Sequence, residues 1–126
     1  MTEIIKTTLP FHKDFNIYQG QNWGCTLIRK DSNRDPVDLT GWTAQMQIRR
    51  RKGGDVLYDL TSDPAAGITI TAATGTVAIA LTAAQTAAIK VGNLVYDFFM
   101  VNAGATETVC ILEGELTVHQ AVTEVA

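Results

Sequence analysis

Asp38-Leu39-Thr40-Gly41-Trp42-Thr43-Ala44-Gln45-Met46-Gln47-Ile48-Arg49 begins as a turn and becomes a strand. Pro36 and Gly41 punctuate the turn. Trp42, Ala44, Met46 and Ile48 then alternate with Thr43, Gln45, Gln47 and Arg49. A period of two is the mark of a strand with one buried face and one wet face. The residue types, tryptophan, threonine and isoleucine with glutamines between, suit a pleated, half-buried surface.

The same reading carries outward along the chain. Phe15 and Ile17 share a face of a short strand, and Gly20-Gln21-Asn22 turns it into a second strand over 23–30. There Trp23, Cys25, Leu27 and Arg29 fall on one side. Asp31-Ser32-Asn33-Arg34-Asp35-Pro36 is a dense turn signal, because Asp, Asn and Ser cap their own backbone and Pro fixes φ. Gly53-Gly54-Asp55 reads as a hairpin connection into a strand over 56–60. Ile68 and Ile70 lead through Thr74-Gly75 to a strand in which Val77, Ile79 and Leu81 alternate with Thr76, Ala78 and Ala80.

One helix is expected, over about 82–90. Thr82 and Gln85 stand at capping-box spacing, Ala83, Ala84, Ala87 and Ala88 are strong helix formers, and Gly92 sits where a left-handed C-terminal residue belongs. Strand returns over 93–101, with Leu94, Tyr96, Phe98 and Met100 as its apolar side. The adjacent Phe98 and Phe99 predict cover on both faces. Strands over 106–112 and 115–119 follow, with a bulge or sheet switch expected at Glu113-Gly114. About 8–9 short strands with frequent turns and one short helix predict an all-β sandwich or barrel.

The totals agree with a single domain. A chain of 126 residues with 46% hydrophobic and 18% charged residues has an ordinary globular balance. The expected organisation is an N-terminal arm over 1–13, one sandwich over 14–120 and a C-terminal tail over 121–126. A net charge of −3 argues against nucleic acid as a partner. The one basic cluster, Arg49-Arg50-Arg51-Lys52, ends a strand and reads as a solvated turn. No apolar run approaches the roughly 20 residues that span a bilayer, so no membrane partner is expected. The N-terminus shows no basic-then-apolar leader pattern, which predicts synthesis in a cytoplasm without export by the usual route.

No catalytic constellation, cofactor motif or metal-ligand spacing emerges, so no enzyme activity is expected. His12 and His119 have no nucleophile turn beside them. Asp55, Asp59 and Asp63 recur every four residues, but strand residues intervene where a calcium loop would place oxygens. Cys25 and Cys110 read as two buried free thiols, although a sandwich could bring them together as an inter-sheet bridge. Asp97 either faces solvent between apolar neighbours or hydrogen-bonds a turn such as that at Gly41. Trp23 and Trp42 read as sandwich core rather than as a sugar platform. An exposed Trp42 or Tyr58 would favour glycan binding instead.

Taken in order, Gln19-Gly20, Pro36 to Gly41, Ala44 to Arg49, Gly53-Gly54, Gly67-Ile68, Thr74-Gly75, Thr82 to Ala88, Gly92, Tyr96-Asp97 and Glu113-Gly114 form a series. That series resembles small virion proteins of tailed bacteriophages and the N-terminal modules of some tail-fibre and baseplate proteins. The resemblance covers roughly residues 14 to 123 and departs at Gly92-Asn93-Leu94-Val95-Tyr96, which is longer than the family's glycine-x-tyrosine. It implies an immunoglobulin-like β-sandwich that binds other virion proteins, made in the host cytoplasm and built into the virion as several copies. Tail, baseplate or fibre attachment ranks first, capsid or neck decoration second, and a host-glycan-binding sandwich stands as the alternative class. Interface contacts would come from the arm, at Ile4, Ile5, Leu9 and Phe11.

Overall fold

The computed structural model of the chain describes residues 2–5, as backbone path, together with 10–63 and 65–120. Within those residues two β-sheets face each other across one apolar layer. The strands run β1 (Thr2–Ile5), β2 (Phe11–His12), β3 (Phe15–Tyr18), β4 (Trp23–Lys30), β5 (Thr43–Arg49) and β6 (Val56–Ser62). They continue as β7 (Ala65–Ala66), β8 (Ile68–Thr71), β9 (Thr76–Leu81), the helix α1 (Ala83–Ala88), β10 (Gly92–Val101) and β11 (Thr108–His119). The smaller sheet has the order β1-β4-β9-β8. The larger has the order β2-β11-β10-β5-β6-β7, and β3 also pairs with β11. The all-β sandwich expected from the alternation is the architecture found.

Alternation decides which side of each strand is dry. Ala44, Met46 and Ile48 of β5 are buried, and they lie opposite Met100, Phe98 and Tyr96 of β10, which are buried too. Val77, Ile79 and Leu81 of β9 supply the facing layer with Leu27 and Ile68. Each buried aliphatic or aromatic side chain contributes about 1.5–3 kcal/mol of transfer free energy, so this shared layer dominates the fold's stability.

Local signals set the connections. In α1, Thr82 accepts a hydrogen bond from the Gln85 backbone N–H (3.2 Å), and the Gln85 side chain accepts one from the Thr82 N–H (2.8 Å). Buried Thr86 fastens the helix to the β3–β4 turn by donating to the Gln21 carbonyl (2.9 Å) and accepting from the Gly20 N–H (3.1 Å). The helix ends earlier than expected. Ile89 leaves it in an extended conformation and buries its side chain, so Gly92 opens β10 instead of closing α1.

Other differences have identifiable causes. Eleven strands appear among the described residues rather than eight or nine, because the expected arm pairs within the chain and Ala65–Ala66 forms a two-residue strand. Residues 2–5 run parallel to Leu27–Lys30 of β4, and Phe11–His12 run parallel to Leu112–Glu113 of β11. The expected tail over 121–126 lies outside the described residues. No interruption occurs at Glu113-Gly114, where β11 runs straight through. Glycine is needed there because a Cβ would overlap the Lys13 carbonyl as the N-terminal segment crosses the strand. The register shift falls instead between Phe98 and Phe99, which pair with Leu112 and Cys110 and leave Ile111 as the extra residue.

Phe99 is not covered, and at 37% exposure it stands on the wet face of a central strand. Cys25 and Cys110 are free thiols, each half-buried.

One buried charge lies in the layer. Arg29 is 1% exposed, with its guanidinium carbon 5.5 Å from the Trp42 ring centroid and Nη1 3.9 Å from the Met100 sulfur. Its Nε has no hydrogen-bond partner among the described residues. Burial pushes the guanidinium below the usual arginine value, and the Glu107 carboxylate acts in the opposite direction. The backbone around it is tight. Arg29 N–H donates to the Gly75 carbonyl (2.8 Å), and a Cβ on Gly75 would lie 2.8 Å from the Arg29 carbonyl oxygen.

A buried cation with an unsatisfied donor contributes little net stability, whereas the volume it fills contributes much. Arg29→Met is therefore expected to keep stability within about 1 kcal/mol of wild type. Arg29→Ala is expected to lose about 2–5 kcal/mol by opening a cavity. Paired chemical denaturation curves check both, and equal losses in the two variants would show that the charge itself stabilises.

Candidate functional site

The outer face of the larger sheet is the surface with most chemistry on it. Because side chains alternate, the residues between the buried ones must face outward here: Gln45, Gln47 and Arg49 from β5, and Val95, Asp97, Phe99 and Val101 from β10. Register lines them up across the strands. Gln47 stands opposite Asp59 on one side and Asp97 on the other, Asp97 stands opposite Glu113, and Glu113 stands opposite His12.

Two shallow concavities of about 480 and 510 Å³ adjoin on this face and share Gln47, Arg49 and Asp97. The first reaches toward Lys52, Glu113 and Glu115, and the second reaches toward Phe99 and Thr108. Both are open hollows on a sheet rather than enclosed cavities.

The groups on the face differ in how far they are committed. Arg49 donates to the Gly54 carbonyl through Nη1 and to Gln47 Oε1 through Nη2 (2.8 Å), so its fork is occupied. Gln45 donates to Asp59 (2.9 Å). At the margin His12 Nε2 lies 3.2 Å from Asp14 Oδ1. The Asp97 carboxylate has no hydrogen-bond or ion-pair partner among the described residues. Desolvation raises its pKa most, Glu113 raises it further, and Arg49 and Lys52 pull it down, with a net shift upward.

The remaining expected residues fall in several places. Asp97 takes the solvent-facing option, and the Gly41 turn packs against Ala103 instead. His119 lies at the end of β11, stacked on Tyr18 with ring centroids 4.7 Å apart and bonded to Asn16 (2.9 Å). Trp42 and Tyr58 both pack against the core, as does Trp23, which meets Phe15 edge to face at 5.1 Å. Tyr96 donates its hydroxyl to the Lys13 carbonyl, and burial raises its pKa strongly.

Among the arm residues, Phe11 is half-buried against the chain's own core. The side chains of Ile4 and Ile5, and Leu9 altogether, lie outside the described residues. Among the described residues no three His, Cys, Asp or Glu side chains are grouped to hold a metal ion, and no helix is long and apolar enough to cross a membrane.

Exposed Phe99 and the Asp97–Glu113 pairing are what sequence reasoning missed. The signal available was the alternation itself, which assigns Phe99 to the side of Asp97 once Phe98 is placed inside. Compared with known proteins, the sequence matches no family model and no curated protein.

The raised pKa of Asp97 has a definite sign. The folded state holds the proton more tightly than the unfolded chain, so this group lowers stability as pH rises from the ordinary carboxylate value through the folded pKa. Asp97→Asn is expected to raise the melting temperature slightly at neutral pH. The gain should fade as pH falls toward 3.8, the group's ordinary value. Thermal scans of both proteins across that range test this, and a gain that grows on acidification would contradict it.

Proposed function

We propose that the chain is a structural virion protein of a tailed bacteriophage, joining other virion proteins in the tail, baseplate or fibre-attachment region. The observation that carries the binding part of this reading is the open outer face of the larger sheet, with Phe99 exposed beside Asp97. Small molecules are usually held in concave sites that bury most of their surface, whereas an open face suits a macromolecule. The setting comes from the motif series running from Gln19-Gly20 to Glu113-Gly114, which resembles phage virion modules. An immunoglobulin-like strand arrangement belongs to the same resemblance.

The edges of the sandwich also suit assembly. β1 covers only Leu27–Lys30 of β4, so Trp23–Thr26 offer backbone groups on that side with no strand beyond them among the described residues. Contacts from the arm, at Ile4, Ile5, Leu9 and Phe11, remain part of the proposal. The glycan-binding alternative asked for Trp42 or Tyr58 on a wet face, and both pack inward. Phe99 alone does not replace them, and the protein-binding reading is the better supported.

Particles purified from cells that carry the gene on an inducible prophage test the proposal. Quantitative mass spectrometry is expected to find the chain in a fixed ratio to the other virion proteins, and antibody labelling should mark the tail end. Purified, infectious particles without the chain would overturn it.

A further inference from the structure

Three of the five large apolar residues exposed among the described residues occur in two patches, and each patch carries charge of opposite sign. Val56 and Leu57 are 40% and 43% exposed beside the turn that joins β5 to β6, and Phe99 is 37% exposed on the outer sheet face. The turn region holds exposed Arg50, Arg51 and Lys52. Neither the Arg50 nor the Arg51 guanidinium has a hydrogen-bond or ion-pair partner among the described residues. A register shift explains the apolar part. Ile48 pairs with Tyr58 and Arg49 with Val56, so Leu57 is the extra residue and two apolar side chains turn out in succession.

The sheet face is the complement of that tip. Asp97 and Glu113 stand directly opposite one another, an arrangement that destabilises a sheet when nothing neutralises it. Arg49, the nearest guanidinium, is already committed to Gly54 and Gln47, and Lys52 of the same turn, which lines the hollow beside both carboxylates, offsets them only in part. Phe99 lies two residues from Asp97 on the same side. The tip cannot serve its own Phe99. Arg49 pairs with Val95, so the turn begins beyond that point, while Phe99 lies four residues further down the strand, about 13 Å away.

We propose that copies of this chain join head to tail, the β5–β6 hairpin tip of one copy seating Arg50, Arg51 and Leu57 on Asp97, Glu113 and Phe99 of the next. The proposal deepens the multi-copy part of the virion reading and rests on that part alone. Two different patches meet, so the contact is heterologous and builds a ring or a filament rather than a closed pair. A hairpin tip buries less than a standard interface, so one contact is weak and closure or repetition supplies the avidity. Its charged component weakens with salt.

Sedimentation velocity of the full chain over a wide concentration range, at low and high salt, reads this directly. Wild type is expected to form species larger than dimers, favoured by concentration and reduced by salt. The tip variant Arg50→Glu/Arg51→Glu and the face variant Asp97→Lys/Glu113→Lys are each expected to weaken association by about tenfold or more. Mixed together, they should regain association beyond dimers, because the wild-type tip of one variant meets the wild-type face of the other, and the reversed Glu tip meets the reversed Lys face. The milder Asp97→Asn/Glu113→Gln keeps the shape of the face and should weaken association several-fold, and circular dichroism confirms that each variant is folded.

Wild-type association that neither variant alters would overturn this contact and leave the virion reading standing. A wild type that stays monomeric throughout would overturn it as well, and the virion reading would then be judged by particle content alone. Failure of the two variants to associate on mixing, with both folded, would also refute it.

Discussion

Everything in the sandwich depends on the register between β5 and β10. Ala44, Met46 and Ile48 meet Met100, Phe98 and Tyr96 in one plane, all on the dry side. A slip of one residue would turn that set to solvent and bring Gln45, Gln47 and Arg49 into the apolar layer. Burying those groups without partners costs several kcal/mol, against stability that totals only about 5–15 kcal/mol for a domain. The register is thus imposed by side-chain chemistry before any hydrogen bond in the ladder is counted. Both bulges lie in the ladders on either side of this pair, one between β5 and β6 and one between β10 and β11, and their extra residues, Leu57 and Ile111, belong to β6 and β11. The pairing of β5 with β10 itself carries no shift, so the central alternation is unbroken.

The same constraint shapes the wet side. If the inner residues are set, the outer ones are set as well, and Asp97 must face Glu113 whatever the cost of two carboxylates side by side. Selection for stability alone would place a lysine or a neutral residue at one of these positions. Phe99 adds a second local cost, an aromatic ring left partly in water on a strand whose neighbours protect both edges. These two unfavourable choices at adjoining positions on one face are the local costs that the proposed contact between copies would offset.

Much of this architecture was legible in the sequence because it is governed by local rules. Alternation identified the dry faces of β4, β5, β9 and β10, and Thr82 with Gln85 placed the start of the helix. What was not legible depends on chain segments meeting over long separations. Gly114 looked like a break in a strand, yet its role is to admit Lys13, a hundred residues away. The N-terminal residues carry no continuous period, and they found partners on both sheets through backbone groups, which composition does not reveal. Phe98-Phe99 suggested cover on two sides because an apolar pair reads alike whether or not a layer lies above it.

Arg29 illustrates the boundary between these two kinds of information. Its position on the face of Trp23, Cys25 and Leu27 follows from alternation, but that a cation on this face is fully buried does not. Its environment does not follow, since Trp42, Met100 and Glu107 come from three other parts of the chain. A long side chain there spans the gap between the sheets where the 36–42 turn crosses, and the ring of Trp42 offers the guanidinium a π face in place of water. Among the described residues Nε has no partner, so this substitution is incomplete. The residue is then better understood as a spacer whose aliphatic stem packs and whose charge is tolerated. On that view the sandwich is held at this end by the volume of Arg29 and the close backbone contacts of Gly75.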